Sequence, residues 1–316
     1  MKPNIVVLDG ALMNSGDLSW DDLLALGNCA LYERTPPHLV LDRCRDAEIV
    51  ISNKVVLSRE IIDQLPRLKY IGITATGTNN VDLKAAAERG IVATNIPAYS
   101  TPSVAQHTIA LLLEATNQVG RHAAAVNGGE WESSPDFCFW KTPLIELNQM
   151  TLGLIGYGEI GEQVAKIAKS FGMKILVYTR TKKDPALEYV DLKSLLQKSD
   201  VVSLHCPYTT ETRHIINGET LSWMKPTAIL INTSRGPLID ETALAKALQE
   251  KRIFGAALDV LEHEPPSSNC PLLRLENCWI TPHIAWSTVA ARRRLFSTVV
   301  DNVKAFLAGS PQNRVT

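Results

Sequence analysis

No stretch of this 316-residue sequence is apolar for long enough to cross a bilayer. The strongest run, Ile109 to Leu113, falls far short of the ~20 residues a spanning helix needs. Charge of either sign is not in excess: 32 Lys and Arg against 33 Asp and Glu leave a formal net charge of −1. Neither nucleic acid nor an anionic membrane is therefore an expected partner. The six cysteines (Cys29, Cys44, Cys138, Cys206, Cys270 and Cys278) are scattered, with no CxxC pair and no His/Cys group at zinc spacing. No structural metal is expected. A secretory leader is not expected either, since Met1-Lys2-Pro3-Asn4 runs straight into Ile5-Val6-Val7-Leu8, which reads as a first strand. The expected setting is the cytoplasm, with reduced thiols. Low-complexity segments and short-period repeats are also absent. What remains is a globular chain, 45% hydrophobic and 21% charged, long enough for two separately cored domains.

The first hundred residues alternate short apolar runs with helical patterns. Strands are predicted at 4–8, 48–52, 69–74 and 91–94, and helices at 37–44, 58–65 and 82–89. This alternation argues for a parallel sheet covered by helices. A long helix follows from Pro102 to about Asn127. It is apolar almost all round at 105–113 and so is expected to be buried between domains or subunits. The second half repeats the alternation, with strands at 151–155, 174–178, 201–205, 228–233, 256–260 and 279–281 and helices at 159–171, 192–198 and 241–250. Six strands with helices between them match a complete doubly wound dinucleotide domain. A last helix, from about Ser287 to Leu307, has no strand left to serve and is expected to pack back on the N-terminal domain. Its Arg292-Arg293-Arg294 run reads as a solvated face.

Between the predicted strand at 151–155 and the helix after it stands Gly156-Tyr157-Gly158-Glu159-Ile160-Gly161. The first glycine suits a tight turn, the second close approach of backbone to a pyrophosphate, and the third tight helix–strand packing. The phosphates would lie at the helix N-terminus. Ligands of an open parallel sheet bind beyond the carboxyl ends of its strands. Arg235, Glu264 and His283 each follow such an end, on the edge that carries the glycine turn. One cation, one carboxylate and one imidazole can thus converge beside a bound dinucleotide.

Several segments carry a family resemblance: Thr76-Gly77-Thr78-Asn79-Asn80-Val81-Asp82, Ser103-Val104-Ala105-Gln106-His107-Thr108, Thr233-Ser234-Arg235-Gly236, the 258–265 stretch and Thr281-Pro282-His283-Ile284-Ala285. Together with the glycine turn, they resemble the D-isomer-specific 2-hydroxyacid dehydrogenases. That resemblance implies two doubly wound α/β domains, with a Rossmann dinucleotide domain (101–285) inserted into a flavodoxin-like substrate domain (1–100 plus 286–316). It implies that Arg235 holds the substrate carboxylate and carbonyl, that His283 is the acid–base, and that Glu264 orients it. The Thr76-Gly77-Thr78 backbone would bind the substrate carboxylate, and Asp259 the nicotinamide amide. Cys206, Pro207, Thr233, Ser234 and Ala285 would complete the cofactor site. A His paired to a carboxylate suits proton donation to a developing alkoxide, and a guanidinium fork suits a carboxylate. Within the family, His283-Ile284-Ala285-Trp286 and Phe137-Cys138-Phe139-Trp140 are most similar to glycerate dehydrogenases and glyoxylate/hydroxypyruvate reductases. A homodimer is implied, with Trp140 either reaching the neighbouring active site or serving as a local core aromatic. The alternatives are a dehydrogenase of other substrate range or a non-enzymatic dinucleotide-sensing scaffold. Family members often carry Arg where this chain has Glu159, which puts a negative charge beside the expected pyrophosphate.

The cofactor expectation is NADP(H) before NAD(H). An NAD-specific fold places an acid about 20 residues after the glycine turn, and here Thr179 stands there, followed by Arg180, Thr181, Lys182 and Lys183. Arg180 offers a planar donor to a 2′-phosphate, with Thr179 and Thr181 adding hydroxyls. Asp184 or a shifted register would serve NAD instead.

Overall fold

The computed structural model describes residues 2–316. The chain divides into two compact units, Met1–Ser100 with Ser287–Thr316, and Thr101–Trp286.

The first unit holds a five-stranded parallel sheet: β1 (Asn4–Val7), β2 (Asn28–Leu31), β3 (Ile49–Ser52), β4 (Tyr70–Ile73) and β5 (Val92–Thr94), in the flavodoxin-like order β2-β1-β3-β4-β5. β3 and β4 are buried along their whole length, as Ile- and Val-rich strands covered on both faces must be. β2 was not expected. It is the edge strand and half exposed, and Asn-Cys-Ala-Leu has no β-branched residue to announce it. Helices α1 (Gly10–Met13), α2 (Asp21–Leu24), α3 (Val40–Cys44), α4 (Arg59–Asp63) and α5 (Leu83–Glu88) form the connections, and Asp82 caps α5 by accepting from the Ala85 amide.

The second unit begins where a single long helix was expected. The chain instead forms α6 (Thr101–Asn117) and α7 (Val119–Asn127), parted by Gln118 in the left-handed region at φ +46°. α6 is buried within its own unit, where Ile109, Leu111 and Leu112 join a core with Leu152, Leu154 and Val164. Then follow β6 (Thr151–Ile155), α8 (Glu159–Ser170), β7 (Lys174–Tyr178), β8 (Glu188–Tyr189), α9 (Leu192–Lys198) and β9 (Val201–Leu204). The rest is α10 (Gly218–Trp223), β10 (Ile229–Asn232), α11 (Glu241–Gln249), β11 (Gly255–Leu258) and β12 (Cys278–Ile280). The seven-stranded parallel sheet runs β12-β11-β10-β9-β6-β7-β8. Six of its strands are those expected. The two-residue β8 completes the β7 edge, and the order reverses between β6 and β9, where a doubly wound sheet opens its ligand crevice.

The last helix, α12 (Val289–Leu307), belongs to the first unit, with Thr288 as its cap. Phe306 stacks on Tyr70 with ring centroids 4.8 Å apart, and Phe296 meets Trp20 edge-on at 5.3 Å. The reading of 292–294 as a solvated face needs correcting at Arg292. Its guanidinium bonds both oxygens of Asp17, at 2.5 and 2.7 Å, and holds that carboxyl down at about 2.

Candidate active site

The glycine turn is built as its spacing required. Gly156 has φ +96°, and a Cβ there would stand 2.6 Å from the Cys206 amide nitrogen and the His205 carbonyl. Only glycine lets β6 turn so close to the loop after β9. At Gly158, the cap of α8, no described atom outside its own stretch of chain comes within 4 Å of where a Cβ would stand. That open space above a helix N-terminus fits a phosphate group. Glu159 turns its carboxylate onto the Thr101 hydroxyl at 3.3 Å.

From this turn a cleft of about 390 Å³ extends between the loops after β6, β7 and β9. Eight of the expected cofactor residues line it: Gly156, Tyr157, Gly158, Thr179, Arg180, Thr181, Cys206 and Pro207. Glu159, Ile160 and Gly161 instead continue into α8. His205 also lines the cleft; it bonds the Ser203 hydroxyl at 2.9 Å, and burial pushes it down to about 4, so it stays neutral at working pH. The sequence reading missed Thr209, Glu211 and Thr212 on the same wall. Glu211 accepts from the Thr209 hydroxyl at 2.6 Å. That bond chiefly, with a smaller share from Arg180, holds its carboxyl below the usual range. The Cys206-Pro207 start of this loop was the available signal, because a residue before proline must be extended. The cleft does not include Arg235, Glu264 or His283.

Those three sit on the turns after β10, β11 and β12. Asn232 ends β10, fully buried, and its side chain closes the first turn by accepting from the Ser234 amide and donating to the Arg235 carbonyl, both at 2.9 Å. Thr233 and Ser234 are fixed by hydroxyl bonds, to Thr108 at 2.9 Å and to the Cys206 carbonyl at 2.8 Å. Arg235 itself is exposed, with Nη1 on the Ser234 carbonyl at 2.7 Å. A Cβ on Gly236 would run into the Leu261 carbonyl, so glycine is what lets this turn pack on the 261–264 segment.

That segment presents Glu264. One carboxylate oxygen accepts from the Leu261 amide at 3.0 Å, and the other lies 2.6 Å from His283 Nδ1. A carboxylate on Nδ1 assigns the proton to that nitrogen and leaves Nε2 as the atom that can meet a substrate. His283 holds φ +54°, which a non-glycine residue adopts only under constraint. Asp259 supplies the constraint. Its carbonyl accepts from the His283 amide at 2.8 Å, and its carboxylate accepts from the Thr281 hydroxyl (2.6 Å) and the Ile284 (2.9 Å) and Ala285 (2.8 Å) amides. Burial pushes this carboxyl up. Bonds from His107, Thr281, Ala285 and Ile284 outweigh that and hold it below the usual range. Asp259 is thus the scaffold of the His283 turn, a role the sequence reading did not assign. Among the described residues no group of three His, Cys, Asp or Glu could hold a metal ion.

The remaining site residues expected from the sequence, Thr76, Gly77 and Thr78, follow β4 in the first unit. Thr76 is exposed, and the other two are half-buried.

Comparison with known proteins places this geometry. Residues 109–285 match the model of the D-isomer specific 2-hydroxyacid dehydrogenase NAD binding domain. A hydroxypyruvate reductase of Blautia hydrogenotrophica is 48% identical, over 98% of this chain and 99% of that protein. A solved NADPH-dependent glyoxylate/hydroxypyruvate reductase from Sinorhizobium meliloti, in complex with NADP and malonate, superposes with a TM-score of 0.87. It is 31% identical, and the match covers 100% of this chain and 97% of that one. A D-lactate dehydrogenase from Aquifex aeolicus, complexed with NAD and lactic acid, gives 0.83 at 34% identity, covering 97% and 96%. The glycine turn and the paired Glu264 and His283 are therefore those of a chain that belongs to the D-isomer specific 2-hydroxyacid dehydrogenase family.

Proposed function

We propose that this protein reduces small 2-oxoacids to D-2-hydroxyacids, with glyoxylate and hydroxypyruvate as substrates and NADP(H) preferred to NAD(H). The observation that carries the reading is the 2.6 Å contact between Glu264 and His283 Nδ1, on the sheet edge that also bears the glycine turn. The nicotinamide, when bound, supplies the hydride. The chain's own residues do the rest. Arg235 binds the substrate carboxylate and carbonyl, the Thr76-Gly77-Thr78 backbone adds donors to the carboxylate, and His283 Nε2 delivers a proton to the carbonyl oxygen. Glu264 keeps the ring in the orientation and tautomer that transfer needs. Purified protein should oxidise NADPH when given glyoxylate or hydroxypyruvate. No turnover with any small 2-oxoacid would leave a dinucleotide-binding scaffold as the reading.

The NADPH preference rests on the cleft wall, where Thr179, Arg180, Thr181 and Lys183 stand together and residue 179 carries no carboxylate. An acid there would repel a 2′-phosphate, whereas Arg180 can fork onto it. The ratio of kcat/KM with NADPH to that with NADH should exceed one in the wild type. It should fall roughly 10- to 100-fold in Thr179→Asp/Arg180→Ile, the scale of a lost charge-assisted bond. A wild-type ratio of one or less ends this part of the proposal.

The active form is a homodimer in this reading. Its support is a group of exposed apolar side chains on α7 and the segment after it: Val119 (65% exposed), Trp131 (52%), Phe137 (90%), Trp140 (67%) and Leu144 (57%). A monomer rarely leaves so much large apolar surface in water on one stretch of chain. A second copy is the partner proposed, with Trp140 reaching its active site. Light scattering should give twice the chain mass at micromolar protein, and a monomer refutes the dimer.

A further inference from the structure

We propose that a buried relay of Asp9, Asn53 and Thr74 positions the Thr76-Gly77-Thr78 turn for substrate, so that Asp9 is a positioning residue. This rests on the reading above that the turn binds the substrate carboxylate. Asp9 stands at the N-cap of α1, where an Asp ordinarily accepts from its own helix. It makes no such bond. Its carboxylate turns to the loop after β3, accepting from the amides of Asn53 (2.8 Å), Lys54 (2.6 Å) and Val55 (3.2 Å). Asp9 is only 4% exposed. A carboxylate in such a place is costly unless fully bonded, and three consecutive amides satisfy it.

The loop so fixed carries Asn53, also buried. Its Nδ2 donates to both the carbonyl (2.7 Å) and the hydroxyl (3.0 Å) of Thr74, the residue that leads from β4 into the turn. On the opposite side Asn95 donates to the Thr76 carbonyl at 2.8 Å, and the Thr76 hydroxyl donates to the Ile96 carbonyl at 3.0 Å. The turn is thereby gripped from the β3 and the β5 flanks. The Asp9 and Asn53 loops follow β1 and β3, the pair at which this sheet reverses its order. That is where an open α/β sheet receives ligands. Backbone donors catch a small anion well only if they do not have to be ordered first, and the relay performs that ordering. Nothing in the sequence near 76–78 points to Asp9, which lies 44 residues from its first partner, Asn53.

The test is steady-state kinetics of the full chain with hydroxypyruvate varied, beside fluorescence titration of NADPH and a thermal melt. Asp9→Asn sets an amide against backbone N–H groups. It should raise KM about tenfold, with kcat within about threefold and cofactor affinity within about twofold, the scale of a charge-assisted bond transmitted through one relay. Thr74→Val removes one acceptor without changing shape and should raise KM about threefold; it carries the test if Asp9→Asn fails to fold. Unchanged KM in Thr74→Val overturns the relay. So does a loss of cofactor affinity in step with KM, which marks general damage. Gly77→Val separates the two layers of inference. If it too leaves KM unchanged, the turn is not the carboxylate site. If it raises KM while the relay variants do not, only the relay fails.

Discussion

His283→Gln should lower turnover by ~10²–10⁴, the usual share of a general acid, with the cofactor still bound. The neutral amide can occupy the same space and keep a bond to Glu264, but it has no proton to give and take at neutral pH. The site is built around that one ring. Its backbone is held at φ +54° by Asp259, and its Nδ1 by a carboxylate that is itself fixed by the Leu261 amide. None of these supports lines the cleft between the loops after β6, β7 and β9, and the substitution leaves Asp259 itself in place, so NADPH affinity, read by fluorescence, should barely move. The decisive measurement is kcat of the purified variant under saturating NADPH and 2-oxoacid. A value near that of the wild type would remove His283 from the chemistry.

Arg235→Lys should cost about 10- to 150-fold in kcat/KM, mainly through KM, since a bond to a charged group contributes ~1.5–3 kcal/mol. The charge survives this change, so a site that needed only a cation would tolerate it. What is lost is the planar fork that takes two oxygens at once. The surrounding turn fixes the backbone that carries that fork: Asn232 holds the Arg235 carbonyl, and Gly236 brings the turn against the 261–264 segment. Lys would place one flexible point charge where Arg presents a rigid plane. If kcat/KM is unchanged, Arg235 is not the carboxylate ligand.

What could be read from the sequence follows from how local the signals are. The glycine turn and the Ile- and Val-rich strands are each written within a few neighbouring residues, and those elements stand close to where they were expected. The α6–α7 break was not legible, because Gln118 rather than glycine or proline takes the left-handed conformation. β2 and β8 were missed because an exposed edge strand of four or two residues carries no hydrophobic period. The site divides the same way. Arg235, Glu264 and His283 could be named from their places after strand ends, and Glu264 and His283 meet at 2.6 Å. Asp259 could not be given its part in presenting His283, because the groups it holds lie 22 to 26 residues further along. Thr209 and Glu211 look like any polar loop until the loop is folded against Arg180.

The discontinuous first unit has a consequence for biosynthesis. The second unit is one unbroken stretch, Thr101–Trp286, and can close as soon as it leaves the ribosome. The five-stranded sheet cannot. Phe306 on α12 covers Tyr70, and the Val315 amide bonds the Ala93 carbonyl of β5. At ~5–20 residues per second, roughly 10–40 s of translation separate the emergence of residue 100 from that of α12. Throughout that interval the β4 face stands bare on the nascent chain, and polysomes making this protein would carry many such faces side by side. Early chaperone capture of the first hundred residues should therefore raise the yield, an outcome read as the soluble fraction with and without co-expressed chaperone.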